Sequence, residues 1–120
     1  MPLWLLVAAG GAAGAVARYA VNVLVQARLD QPGWVATCVV NGLGSVCIGV
    51  LYARTTDPSL RALLGVGVLG GFTTFSTFGN DAVGMLGEGR PLLAGTYILG
   101  SVSAGLLGVV LGRVIAGGWG

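Results

Sequence analysis

The stretch "GVLGGFTTFSTFGN", Gly67 to Asn80, decides how this chain is read. It lies in an uncharged run long enough for a membrane helix, yet its residues suit neither a helix nor lipid. Two adjacent glycines, Gly70 and Gly71, lead into four hydroxyl residues, Thr73, Thr74, Ser76 and Thr77, interleaved with all three phenylalanines of the chain. Glycine costs about 1 kcal/mol relative to alanine inside a helix. A mid-membrane break across Gly70–Gly71 and Thr73–Thr74 is therefore expected. Irregular backbone at that depth is tolerated only where protein or water covers it. Carbonyls freed by a broken helix form cation sites, and the N-terminus of a half-helix favours anions. Beyond the break, Phe75 and Phe78 are three residues apart and share a face. The positive edges of their rings can contact an anion without hydrating it. Lipid-facing phenylalanines and self-bonded hydroxyls would account for any one of these residues. They account poorly for the block, because residues 73–78 are all Thr, Ser or Phe, with no Leu, Ile or Val.

The rest of the chain sets this stretch in a membrane. Its 120 residues suffice for one domain, and 55% are hydrophobic while only 8% are charged, against about 25% charged in a soluble globule. Mean hydropathy is +0.90. A span needs roughly 20 mostly apolar residues, and the uncharged runs predict four spans, at about 3–25, 33–53, 62–86 and 91–113. The fold expected is all-α, with four transmembrane helices per subunit, the third broken. No Lys or Arg precedes the first apolar run, so that run is expected to stay as a helix rather than be cleaved as a signal peptide. Cys38 and Cys47 share one span, separated by roughly 13 Å of helix, so they cannot pair with each other. There is no His, and the uncharged runs hold no Asp or Glu, so no metal-ligand cluster and no catalytic dyad emerges. An enzyme is not expected. A net charge of +2, scattered along the chain, does not suggest nucleic acid.

Arginines orient membrane proteins by their asymmetry between the two sides. Here Arg54, Arg61 and Arg113 fall on one side, and Arg28, Arg90 and the more deeply placed Arg18 on the other. Three against three predicts a chain that inserts both ways up. Two copies in opposite orientations would reproduce, between chains, the inverted repeat that many transporters carry within one. Gly10 with Gly14, and Gly100, Ala104, Gly108 and Gly112, form small-residue stripes that predict close helix packing.

Three groups of polar residues lie within spans. Arg18, Asn22 and Gln26 are four apart and share a face of the first helix. An intramembrane arginine either snorkels to the interface or lines a wet vestibule that attracts anions. Asn41, with Ser45 one turn on, is either interhelical glue or an amide offering N–H donors to something passing. Tyr97 and Ser101 stack on one face of the fourth helix, with Gly105 beneath them.

With "GGAAGAVARY" in the first span, "NGLGS" in the second and "GGFTTFSTF" in the third, the full chain resembles the CrcB/Fluc family of fluoride channels. The resemblance implies a dual-topology antiparallel homodimer in a prokaryotic cell membrane, with two fluoride pathways that passively export F- and so confer fluoride resistance. It implies a structural Na+ (sodium) ion at the dimer centre, held by backbone carbonyls of Gly70 and Thr73 from each subunit. Phe75 and Phe78 would line the pore, with Asn41 as a donor beside them. Tyr97 and Ser101 would form a polar track, and Arg18 the vestibule. Gly105 departs from the expected pattern of a hydroxyl continuing that track; a water, or Ser103 after a small rotation, would fill in for it. No organic substrate is implied. Two rival readings are a small proton-coupled exporter, for which Asp81 is the one acid to check, and a structural membrane subunit whose polar residues are glue.

Overall fold

The computed structural model describes residues 1–118, which form helices and turns with no strand. Helix α1 (Leu3–Arg28) is α-helical to Val23 and closes in a wider π-helical turn. Helix α2 is Gly33–Arg54. The third span is two helices, α3 (residues 58–72) and α4 (Ser76–Gly87), separated by residues 73–75. Helix α5 is Pro91–Ile115. Four stretches, Leu3–Arg28, Gly33–Arg54, Pro58–Gly87 and Pro91–Ile115, are long and apolar enough to cross a membrane, and the interruption falls at the middle of the third.

The ends of the helices follow from local chemistry. Proline stands at the first position of α3 and of α5, where its missing N–H is not needed. Asp57 caps α3 by accepting from the Leu60 N–H at 2.9 Å. Arg61 closes α2 from outside: its Nε donates to the Thr55 carbonyl at 2.9 Å, and its guanidinium lies 4.2 Å from the centre of the Tyr52 ring. Gly89 supplies the positive φ of the turn between α4 and α5.

Spans joined by such short loops alternate in direction, so α1 and α3 run the same way, as do α2 and α5. These are the two closest pairs, and both rest on small residues. A Cβ at Gly10 or Gly14 would strike the Leu63 or Val68 carbonyl of α3. One at Gly112 would strike the Val46 carbonyl of α2, whereas Gly100 meets nothing. The lower half of the small-residue stripe on α5 is thus a packing surface, as the spacing predicted. The cluster of buried side chains around Phe78, Ala82, Met85, Ala94 and Tyr97, with Trp34 against it, joins α4 to α5 and α2.

The break lies further along than the glycines suggested. Gly70 stays helical (φ −63°, ψ −37°), and the chain first extends at Thr73 (φ −88°, ψ 160°). Gly71 serves approach instead: a Cβ on it would lie 2.6 Å from the Gly11 carbonyl of α1, closer than any side chain permits. What ends α3 is a pair of β-branched threonines, the second of which, Thr74, finds a better backbone partner on another helix.

Candidate functional site

That partner is Asn41. Its Nδ2 donates to the Thr74 carbonyl at 2.9 Å, and its Oδ1 accepts from the Thr74 N–H at 2.8 Å. One side chain of α2 thus replaces both hydrogen bonds that Thr74 loses on leaving the helix. Gly44 makes the approach possible, because a Cβ there would collide with the Thr73 methyl. Thr73 returns its own hydroxyl to the Leu69 carbonyl at 2.9 Å, and Thr74 Oγ1 accepts from the Thr77 N–H at 3.1 Å, capping α4. The motif "NGLGS" is therefore the seat of the break.

The break leaves unpaired backbone of both signs. Arg18 Nε donates to the Gly71 carbonyl at 3.0 Å, but no hydrogen bond among the described residues reaches the carbonyls of Gly70 or Thr73. Across the gap, the N–H groups of Phe75, Ser76 and Phe78 at the start of α4 also have no acceptor among them, and they stand at the positive end of the helix. Gly70, Thr73, Phe75, Asn41 and Ser45 line an open groove of about 320 Å³. Phe75 is 83% exposed there, whereas Phe78 is buried. The two rings stand 5.8 Å apart, as their spacing predicted, and Phe78 continues to Tyr97 at 5.1 Å.

Asn41 also opens on its far side into a cavity of about 230 Å³ shared with Cys38, Tyr97 and Ser101. Arg18 stands apart from this group. It lines a separate cavity of about 310 Å³ with Asn22, Thr37, Thr74 and Thr77, and meets the other expected site residues only through the break itself. Asn22 accepts from Gln26 Nε2 at 2.8 Å, so this polar face is continuous toward the loop.

Sequence reasoning missed Thr37 and undervalued Asp81. Asp81 closes an uncharged run and lies inside α4, within the span expected over 62–86. Its Oδ2 accepts from the buried Thr37 hydroxyl and from the Tyr97 hydroxyl, each at 2.9 Å. Tyr97 therefore points its proton at a carboxylate rather than along its own helix toward Ser101. The signal for Thr37 was present: Thr37, Asn41 and Ser45 are four apart, as are Tyr97, Ser101 and Gly105. The structure sets these two ladders side by side. Thr37 and Tyr97 meet at Asp81, Asn41 and Ser101 share a cavity, and Ser45 faces Gly105. Among the described residues no buried side-chain nitrogen or oxygen lacks a partner.

These features define a multi-pass membrane protein whose third span is interrupted at its middle by polar, partly unpaired backbone. The profile of the family "CrcB-like protein, Camphor Resistance (CrcB)" matches residues 5–113, and the chain belongs to that family. It is 42% identical over 119 residues to a protein of Deinococcus radiodurans named "Fluoride-specific ion channel FluC", covering 95% of this chain and 94% of that one. Proteins of the same name from Phocaeicola vulgatus and a Hydrogenobaculum species are 42% and 39% identical, over 90% and 95% of this chain and 93% and 97% of theirs.

Proposed function

We propose that this chain is a fluoride-selective channel that lets fluoride leave the cell down its electrochemical gradient. The observation that carries the reading is the clamped break beside the Phe75–Phe78 pair, in a chain so similar over its full length to proteins bearing that name. Fluoride is small and strongly hydrated. A dry path must replace its water with donors and exclude larger halides by width. The ring edges of Phe75 and Phe78, the second amide N–H of Asn41 and the Ser101 hydroxyl are the groups that act on the ion. Arg18 draws anions toward the entrance. Binding at each station stays weak enough to release the ion to the next.

The working unit is two copies in opposite orientation. Supporting this are the three-to-three arginine balance and the exposure of Gly70 and Phe75 beside irregular backbone, which lipid does not tolerate uncovered. A second copy crossing at the same break supplies the cover. The free carbonyls of Gly70 and Thr73 are neutral oxygen donors suited to a hard monovalent cation, so the fit to a sodium ion is good. When bound between the copies, that ion supplies a fixed positive charge and ties the two breaks together. The chain's own part is to present those oxygens, with Asn41 and Arg18 holding Thr74 and Gly71 on either side.

The test is efflux from liposomes loaded with fluoride or chloride. Fluoride leaving without chloride, and without proton coupling, is the expected result. Proton-coupled export of a cation would instead assign Asp81 the role of a carrier acid, and no flux of any kind would leave a structural subunit.

A further inference from the structure

The two ladders of four-residue spacing pair rung by rung: Thr37 with Tyr97, Asn41 with Ser101, and Ser45 with Gly105. The first two rungs carry a polar group on each helix. The third has none on α5, and nothing on α5 replaces it, since Ser103 is exposed and turned away. What faces Gly105 is Ser45: its Oγ would lie 3.6 Å from a Cβ built on that glycine. Ser45 also lines the groove that holds Phe75 and Asn41.

We infer that Ser45 is the ion-contacting hydroxyl of this third rung, continuing from α2 the polar track that α5 leaves off at Ser101. This rests on the channel reading above. Ser45 Oγ donates to the Asn41 carbonyl at 2.7 Å. In an α-helix that carbonyl already accepts the backbone N–H four residues on, so the hydroxyl bond is a second, redundant one. The proton can swing to a passing anion without leaving a carbonyl orphaned, and swing back when the ion moves on. Absence of a side chain at position 105 keeps the space beside it open. A residue there would meet Ser45 at ordinary contact distance, so small substitutions fit.

Fluoride efflux from liposomes tests this with five variants. Ser45→Ala should slow efflux about tenfold, the order of one lost hydrogen bond. Adding Gly105→Ser should return most of that loss by supplying the hydroxyl from the opposite wall, whereas adding Gly105→Ala should not. Ser45→Thr and Ser45→Val, equal in shape, should differ by a similar factor in favour of threonine, which keeps the comparison decisive if Ser45→Ala assembles poorly. An unchanged Ser45→Ala rate, or equal rates for the threonine and valine variants, would overturn the inference while leaving the channel standing. A wild-type protein that retains trapped fluoride would instead remove the channel reading beneath it.

Discussion

Replacing Asn41 by Ala and by Asp separates holding the break from serving the ion. The side chain makes two hydrogen bonds to Thr74, at 2.9 and 2.8 Å. Interhelical hydrogen bonds in membranes contribute on average about 0.6 kcal/mol each and at most about 1.7. Losing both in Asn41→Ala therefore weakens the seat of the break by about 1–3 kcal/mol. That is small enough for the protein to fold, and large enough for the start of α4 to wander from Thr74. Asn41→Asp is different in kind. It keeps the acceptor for the Thr74 N–H but sets a carboxylate oxygen against the Thr74 carbonyl, where the amide N–H now donates. It also places a negative charge beside the path. At about 4 Å and an effective dielectric of about 20, two unit charges of like sign repel by about 4 kcal/mol, roughly a thousandfold in rate.

The assay is initial fluoride efflux from liposomes, read beside thermal unfolding in detergent. Asn41→Ala should lose stability and part of its flux; Asn41→Asp should lose nearly all flux, and at least as much stability, because it keeps one bond but turns the other into a repulsion between two oxygens. If Asn41→Asp conducts at the wild-type rate, no anion passes near this residue and Asn41 only holds helices together. If Asn41→Ala unfolds at the wild-type temperature, the clamp contributes nothing and the break is set by Thr73 and Thr74 alone.

Phe75→Ile and Phe78→Ile should each nearly abolish fluoride efflux while the dimer peak in size-exclusion chromatography is retained; unchanged efflux would take the rings out of the path. Asp81→Ala leaves the hydroxyls of Thr37 and Tyr97 without their acceptor and should cost about 1–3 kcal/mol in detergent unfolding, whereas Asp81→Asn keeps an oxygen in place and should cost less; equal unfolding of the two would dismiss the contact. Adding two lysines to residues 29–32 should bias insertion one way up and reduce active protein, and full activity from a uniformly oriented population would refute the antiparallel pair.

The four spans were legible because hydropathy alone sets them, and the contact of Phe75 with Phe78 because a spacing of three fixes it on any helix. The break was legible as a block but not to the residue. Glycine signals both helix breaking and close approach, and at Gly71 approach to α1 won. What stops the helix at Thr73 is a side chain 33 residues earlier, a pairing that no local pattern announces. The role of Asp81 was obscured for a related reason: its place at the end of an uncharged run marks it as the acid to check but names no partner. Its acceptance of two buried hydroxyls depends on α2 and α5 arriving together, although the four-residue ladders on those helices were visible in advance.

Those ladders bear on why a broken helix here need not be a loose one. Along α2, Asn41 grips Thr74 at the start of α4, and one turn back Thr37 grips Asp81 two turns along α4; Tyr97 holds the same carboxylate from α5. A half-helix fixed at two heights against two neighbours cannot swing about its break without parting four hydrogen bonds, a cost of about 2–4 kcal/mol even at the modest values found in membranes. Its unpaired N–H groups and Phe78 are thus held in place by the chain itself, and on the channel reading proposed above an ion that exchanged water for them would meet no ordering cost. The same rigidity separates the two sides of the break in their work. The carbonyl side, at Gly70 and Thr73, lines the open groove with no hydrogen-bond partner among the described residues, while the amide side is braced by α2 and α5.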